Sequence, residues 1–145
     1  MTEKSELELI EERRAARRKA TAEAKEAQRV VDLKALDALE EEHGESRLRV
    51  LYVSGYVPGA PTMAVVKSPG GTSYWKRFQD QIRNAKGNRQ LESAAQDMLA
   101  RACLAYPSEP EALAAMLAAF PNMLNDVAGA AAGLARLETE EEKKD

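Results

Sequence analysis

From residue 3 to residue 43 the chain contains no glycine or proline and is built mainly from Glu, Ala, Arg, Lys and Leu. These side chains lose little or no rotamer freedom in a helix, so the stretch predicts one long helix. Its apolar positions change character along the way. Leu7 and Ile10 stand near the start, and an alanine-rich middle follows. Val30, Leu33 and Leu36, or the neighbouring Val31, Ala35 and Ala38, then lead to Leu39 at three-to-four spacing. Only the last third has a face worth burying. Residues 28–42 are therefore expected to dock on the rest of the chain, and residues 1–27 to project as a solvated or partner-bound arm. His43 followed by Gly44 marks the end of the helix.

The period then changes. In Arg47 to Val53, Leu48, Val50 and Tyr52 alternate with polar arginines, which is the periodicity of a strand. Ser54 to Pro61 holds two glycines and two prolines and reads as a loop. Thr62 to Lys67 is a second short strand, and the two form an antiparallel hairpin with an edge open to assembly. Past the turn Ser68-Pro69-Gly70-Gly71-Thr72, Ser73 is placed to cap a helix on which Tyr74, Phe78 and Ile82 share a face. Gly87 closes it. Asn88 caps the next helix, whose stripe through Leu91, Ala95, Met98, Leu99, Ala102 and Cys103 runs until Tyr106-Pro107. Ser108 and Glu111 form a capping-box pattern with Pro110 between them, opening a helix through Leu113, Met116, Leu117 and Phe120. A last helix from Pro121 carries Met123, Leu124, Val127, Leu134 and Leu137, and dissolves into the charged tail Glu138 to Asp145.

Composition narrows this picture. A chain of 145 residues fits one domain of ordinary size. Hydrophobic residues make up 44%, but aromatics only 5%, and alanine carries much of the apolar share, so the core should be thin. With 31% charged residues, a net charge of −3 and a mean hydropathy of −0.50, the chain suits solvated helices and disfavours nucleic acid in bulk. No run approaches the roughly 18 apolar residues that span a bilayer, and the N-terminus lacks the apolar core of a signal peptide. A single cysteine, Cys103, cannot form an intramolecular disulfide, and its apolar neighbours suit a reduced, buried thiol. The expected compartment is the cytoplasm.

Catalytic chemistry is hard to assemble from these residues. The one histidine, His43, sits where an imidazolium meets the negative end of a helix dipole. With Cys103 it makes two isolated residues and no nucleophile–base pair. The acidic runs Glu40 to Glu42 and Glu140 to Glu142 fall on a helix end and a tail, so no metal site is expected. Lys67 to Ser73 leads glycines toward a helix but lacks the Gly-Lys-Ser/Thr ending of a phosphate loop. Gly129 and Gly133 suit close helix packing. The strongest charge feature is Arg13, Arg14, Arg17, Arg18 and Lys19, bracketed by Glu3, Glu6, Glu8, Glu11 and Glu12. This block could track phosphates with salt-dependent affinity. It has no interleaved aromatic for base stacking, however, and an arm with ends of opposite sign can pair antiparallel with itself or meet an acidic partner. Trp75 lies about 100° off the Tyr74–Phe78–Ile82 face, at the border where aromatics anchor partners or lid a core.

Lys67-Ser68-Pro69 with Tyr74-Trp75-Lys76-Arg77-Phe78, and Ala102-Cys103-Leu104-Ala105-Tyr106-Pro107 with Phe120-Pro121, resemble the small tail assembly chaperones of tailed bacteriophages over residues 47–137. The resemblance implies a non-enzymatic factor of the infected cell's cytoplasm that binds the tape measure protein and recruits tail tube subunits. The long first helix lies outside it and leaves open a scaffold, a connector or a nucleic-acid-associated phage protein using the basic block. Taken together, the residues predict a predominantly α, α+β protein with a long N-terminal helix, a short antiparallel hairpin and a compact C-terminal helical body. Its divisions are 1–43, 44–137 and 138–145. The expected partners are proteins, with self-association open, and no cofactor, metal or membrane is expected. Tyr74, Trp75, Phe78, Arg13, Arg14, Arg17 and Arg18 are the candidate contact residues.

Overall fold

The computed structural model describes residues 3–144, with side chains to residue 137. Helix α1 (Glu6–His43) leads through a short 3-10 turn (Glu45–Arg47) into strands β1 (Leu48–Tyr52) and β2 (Met63–Lys67). Helices α2 (Ser73–Ala85) and α3 (Arg89–Cys103), strand β3 (Leu104–Tyr106), and helices α4 (Pro110–Ala119) and α5 (Met123–Lys144) follow. The architecture is predominantly α with one antiparallel sheet, a long N-terminal helix and a helical body after the strands.

The hairpin is part of a three-stranded sheet in the order β1-β2-β3, with β2 at its centre. The third strand comes from residues that extend the apolar stripe of α3. Tyr106 precedes Pro107, a position where α geometry is disfavoured, and pairing along the second edge of β2 gives the released backbone groups new partners. Register places Arg49, Leu51, Val53, Ala64 and Val66 on one face of the sheet, and Leu48, Val50, Tyr52, Met63 and Val65 on the other. The first face meets the core of Leu99, Ala100, Cys103, Met116, Met123, Val127 and Ala131 from the following helices. Met63 and Val65 are also buried, on the face toward α1.

In β1 the side that meets the core is the one opposite Leu48, Val50 and Tyr52. Leu51 and Val53 pack on the core, Leu48 and Val50 are half-buried, and Tyr52 is 71% exposed. Because helices flank both faces of the sheet, apolar side chains point both ways and alternation alone does not identify the buried side.

Helix α1 is also turned from its expected face. Val30, Val31 and Leu33 are exposed, whereas Gln28, Asp32, Ala35, Leu36, Leu39 and His43 are shielded. Caps differ in detail. Thr72, not Ser73, is the N-cap of α2, and its hydroxyl donates to the Pro69 carbonyl. Glu109, not Ser108, precedes α4, with no side-chain cap bond. Asn88 caps α3 by accepting from the Gln90 and Leu91 amides at 3.0 and 3.2 Å. The segment read as a charged tail continues α5 as helix to Lys144, and Asp145 lies outside the described residues.

Candidate partner-binding surfaces

At 1.5 Å per residue the 38-residue α1 is about 57 Å long. Its residues from 6 to 23 are exposed on every side. Ser5 caps its start by accepting from the Glu8 amide at 3.2 Å, and Gly44, at φ 86°, ends it where an L side chain would be strained. Along this arm Leu7, Leu9 and Ile10 are 65%, 42% and 46% exposed. Arg13 Nε donates to the Leu9 carbonyl at 3.4 Å and Arg17 Nε to the Arg13 carbonyl at 3.3 Å, which folds both side chains along the helix. Between them lies a shallow notch lined by Ile10, Arg13, Ala16 and Arg17. Arg14 and Arg18 are exposed on the same arm.

The aromatic candidates are elsewhere. Tyr74, Trp75 and Phe78 pack half-buried against the core, and Trp75 stacks on Phe78 with ring centroids 5.5 Å apart and planes at 22°. That i, i+3 stack draws Trp75 onto the core margin despite its angular offset from Tyr74. The arginines and the aromatics thus belong to two surfaces, a free helical arm and the margin of the body.

What fastens α1 to the body is a polar group that sequence reading passed over. The Asp32 carboxylate is fully buried. Removing a carboxylate from water costs several kcal/mol unless its oxygens are met by donors. Here Oδ1 accepts from Gln28 Nε2 at 2.9 Å and from the Tyr106 hydroxyl, and Oδ2 accepts from the Thr62 amide at 2.7 Å and from the Thr62 hydroxyl. The residue thereby ties α1 to the entry of β2 and to β3. Burial, and then the Asp32 hydrogen bond and charge, push the Tyr106 phenol well above its ordinary range. Beside this latch is a cleft of about 290 Å³ whose lining includes Gln28, Val31, Pro61, Tyr106, Pro107 and Glu109. The one hint in the sequence is an aspartate between Val31 and Leu33 where the helix face turns apolar.

Cys103 lies in the apolar core with no exposed surface, and burial pushes its thiol from 9.0 up to about 12 against the opposing charge of Lys67. At neutral pH it is a neutral, shielded thiol. His43 remains at the helix end, its Nε2 3.7 Å from Glu42. The Lys67 to Ser73 turn is occupied internally: Ser68 accepts from the Gly70 amide, and Arg47 donates to the Gly70 carbonyl at 3.2 Å. Among the described residues no group of three His, Cys, Asp or Glu could hold a metal ion, and no helix is long and apolar enough to cross a membrane.

No family model matches the chain, and neither a curated protein nor a solved structure matches it significantly.

Proposed function

We propose that this chain is a non-enzymatic assembly factor that works by binding other proteins, with the tail assembly chaperones of tailed bacteriophages as the class it fits. The observation that carries the reading is the free half of α1. A helical arm that leaves Leu7, Leu9 and Ile10 in water beyond a small but well-filled core is organised for helix-to-helix contact. Leu51, Val53 and the aromatics of α2 complete the body and leave β1 as an open sheet edge, a second surface of the kind that extends by strand addition. In that role the tape measure protein is the client and tail tube subunits are recruited to it, in the cytoplasm of the infected cell.

The test is an affinity pull-down of tagged full-length protein from its native host or infected cell, with nuclease treatment and mass spectrometry of what stays bound. Recovery of a very long helical tape-measure-like protein with tail tube subunits is the expected result, and recovery of capsid and portal proteins alone would sink the reading. A second reading, a scaffold, connector or nucleic-acid-associated protein, is favoured by the exposed cations Arg13, Arg14, Arg17, Arg18 and Lys19. It requires binding to DNA or RNA that falls steeply with salt and vanishes when these five residues are neutralised.

A further inference from the structure

The free half of α1 carries a charge pattern that its own chain meets only at Glu12, whose carboxylate pairs with Lys4. Residues 6–12 hold Glu6, Glu8, Glu11 and Glu12 with no cation, and residues 13–19 hold Arg13, Arg14, Arg17, Arg18 and Lys19 with no carboxylate. Side chains three and four apart are neighbours on a helix. At four-residue spacing these blocks set like against like: Glu8 with Glu12, Arg13 with Arg17, and Arg14 with Arg18. Between the blocks only Glu11 and Arg14 have opposite sign at such a spacing. Among the described residues none of the five cations has an ion-pair partner in its own chain. The helix dipole favours carboxylates in the first turn, but it offers nothing to cations this far from the helix end at His43.

We propose that the arm docks on the arm of a second copy of this chain, antiparallel, with the two-fold axis between Glu12 and Arg13. In that register the acidic block of each arm, residues 6–12, lies alongside the basic block, residues 13–19, of the other. With Leu9 and Ala16 on the seam, a large apolar residue of each arm lies over a small one of the other, while Leu7 and Ile10 fall off that face. A parallel pair would stack the acidic block on the acidic block and the basic on the basic. The overlap uses only residues 3–22, which are exposed throughout, so the two bodies lie at opposite ends without obstructing each other. The contact is isologous, as a symmetric dimer requires. The second copy occupies the same arm surface as the client proposed above, so self-association and client binding there exclude one another.

Sedimentation equilibrium of the full chain tests the association. A dimer is expected at low salt, with a dissociation constant that rises on the order of tenfold or more between about 0.02 and 0.5 M salt as exposed charges are screened. The variants E6K/E8K/E11K/E12K and R13E/R14E/R17E/R18E/K19E should each be monomeric, and their equimolar mixture should dimerise again. Orientation is read from Leu9→Cys and Ala16→Cys, two mild changes on an otherwise unaltered arm. Oxidation of the mixture should give the crossed disulfide, with little cross-linking of either variant alone. A wild-type monomer at low salt, or same-site cross-links in each single variant, would overturn the proposal.

Discussion

At the scale of single residues the structure turns on Asp32. Truncating it in Asp32→Ala strands the Thr62 amide and hydroxyl and the Tyr106 hydroxyl without their acceptor. The expected loss is about 3 kcal/mol, measured as a lower urea midpoint, with a smaller loss of about 1 kcal/mol for Tyr106→Phe. Titration of Cys103 and Tyr106 gives a second expectation. Burial raises the Cys103 thiol from 9.0 to about 12, and Tyr106 is displaced in the same direction. Each group binds its proton more tightly folded than unfolded, so the stability it sustains is whole below about pH 9 and is lost as pH climbs from there through the folded value. Unfolding free energy measured against pH should stay level to pH 9 and then fall, by at most about 1.4 kcal/mol per pH unit for each group. Cys103→Ala should flatten part of that decline. In the native protein at pH 8 the thiol should resist alkylation and react only on unfolding. Cys103 was readable from its apolar neighbours. Asp32 was not, because an aspartate in a charge-rich helix is ordinarily a solvated one, and the donors that rescue it come from residues 62 and 106.

At the scale of elements, stability is divided unevenly. Helix α1 is held to the body by its later residues, and an isolated helix as short as its free portion is marginal in water. Ala20→Gly should therefore cost about 1 kcal/mol of local helicity, read as lost ellipticity and faster amide exchange in the arm, with the unfolding midpoint of the body unchanged. Leu99→Ala should do the reverse, since Leu99 is fully buried at the junction of the sheet and α5. A loss of about 2–5 kcal/mol in global stability is expected, with the arm untouched. The helices were legible because their punctuation is local: Gly44, Asn88, Pro110. Strand β3 was not, because three residues at the end of a helical stripe become a strand only when the edge of β2 lies beside them.

At the scale of the whole molecule, the arm and the body are separate devices. Paired antiparallel as proposed, the arms form a central rod with a body at each end. Small-angle scattering at low salt should then give a two-peaked distance distribution, which collapses to a single elongated monomer as salt is raised. A single-peaked, compact profile at low salt would contradict that shape. The candidate surfaces divide in the same way: Arg13, Arg14, Arg17 and Arg18 stand on the rod, and Tyr74, Trp75 and Phe78 on the margin of the body. The charge blocks could be read from sequence because consecutive residues on a helix stay together in space.

The amino-acid sequence by itself determined the predominance of helix, the length of α1, the two strands of the hairpin and the apolar setting of Cys103. Each of these depends on propensity, period or capping within a few residues. Tertiary structure alone decided which face of α1 docks, which side of β1 is buried, and that residues 104–106 form a strand. Those outcomes depend on partners distant in the chain. Asp32 is buried because Thr62 and Tyr106 converge on it, and its four donors turn Val30, Val31 and Leu33 outward despite their hydrophobicity.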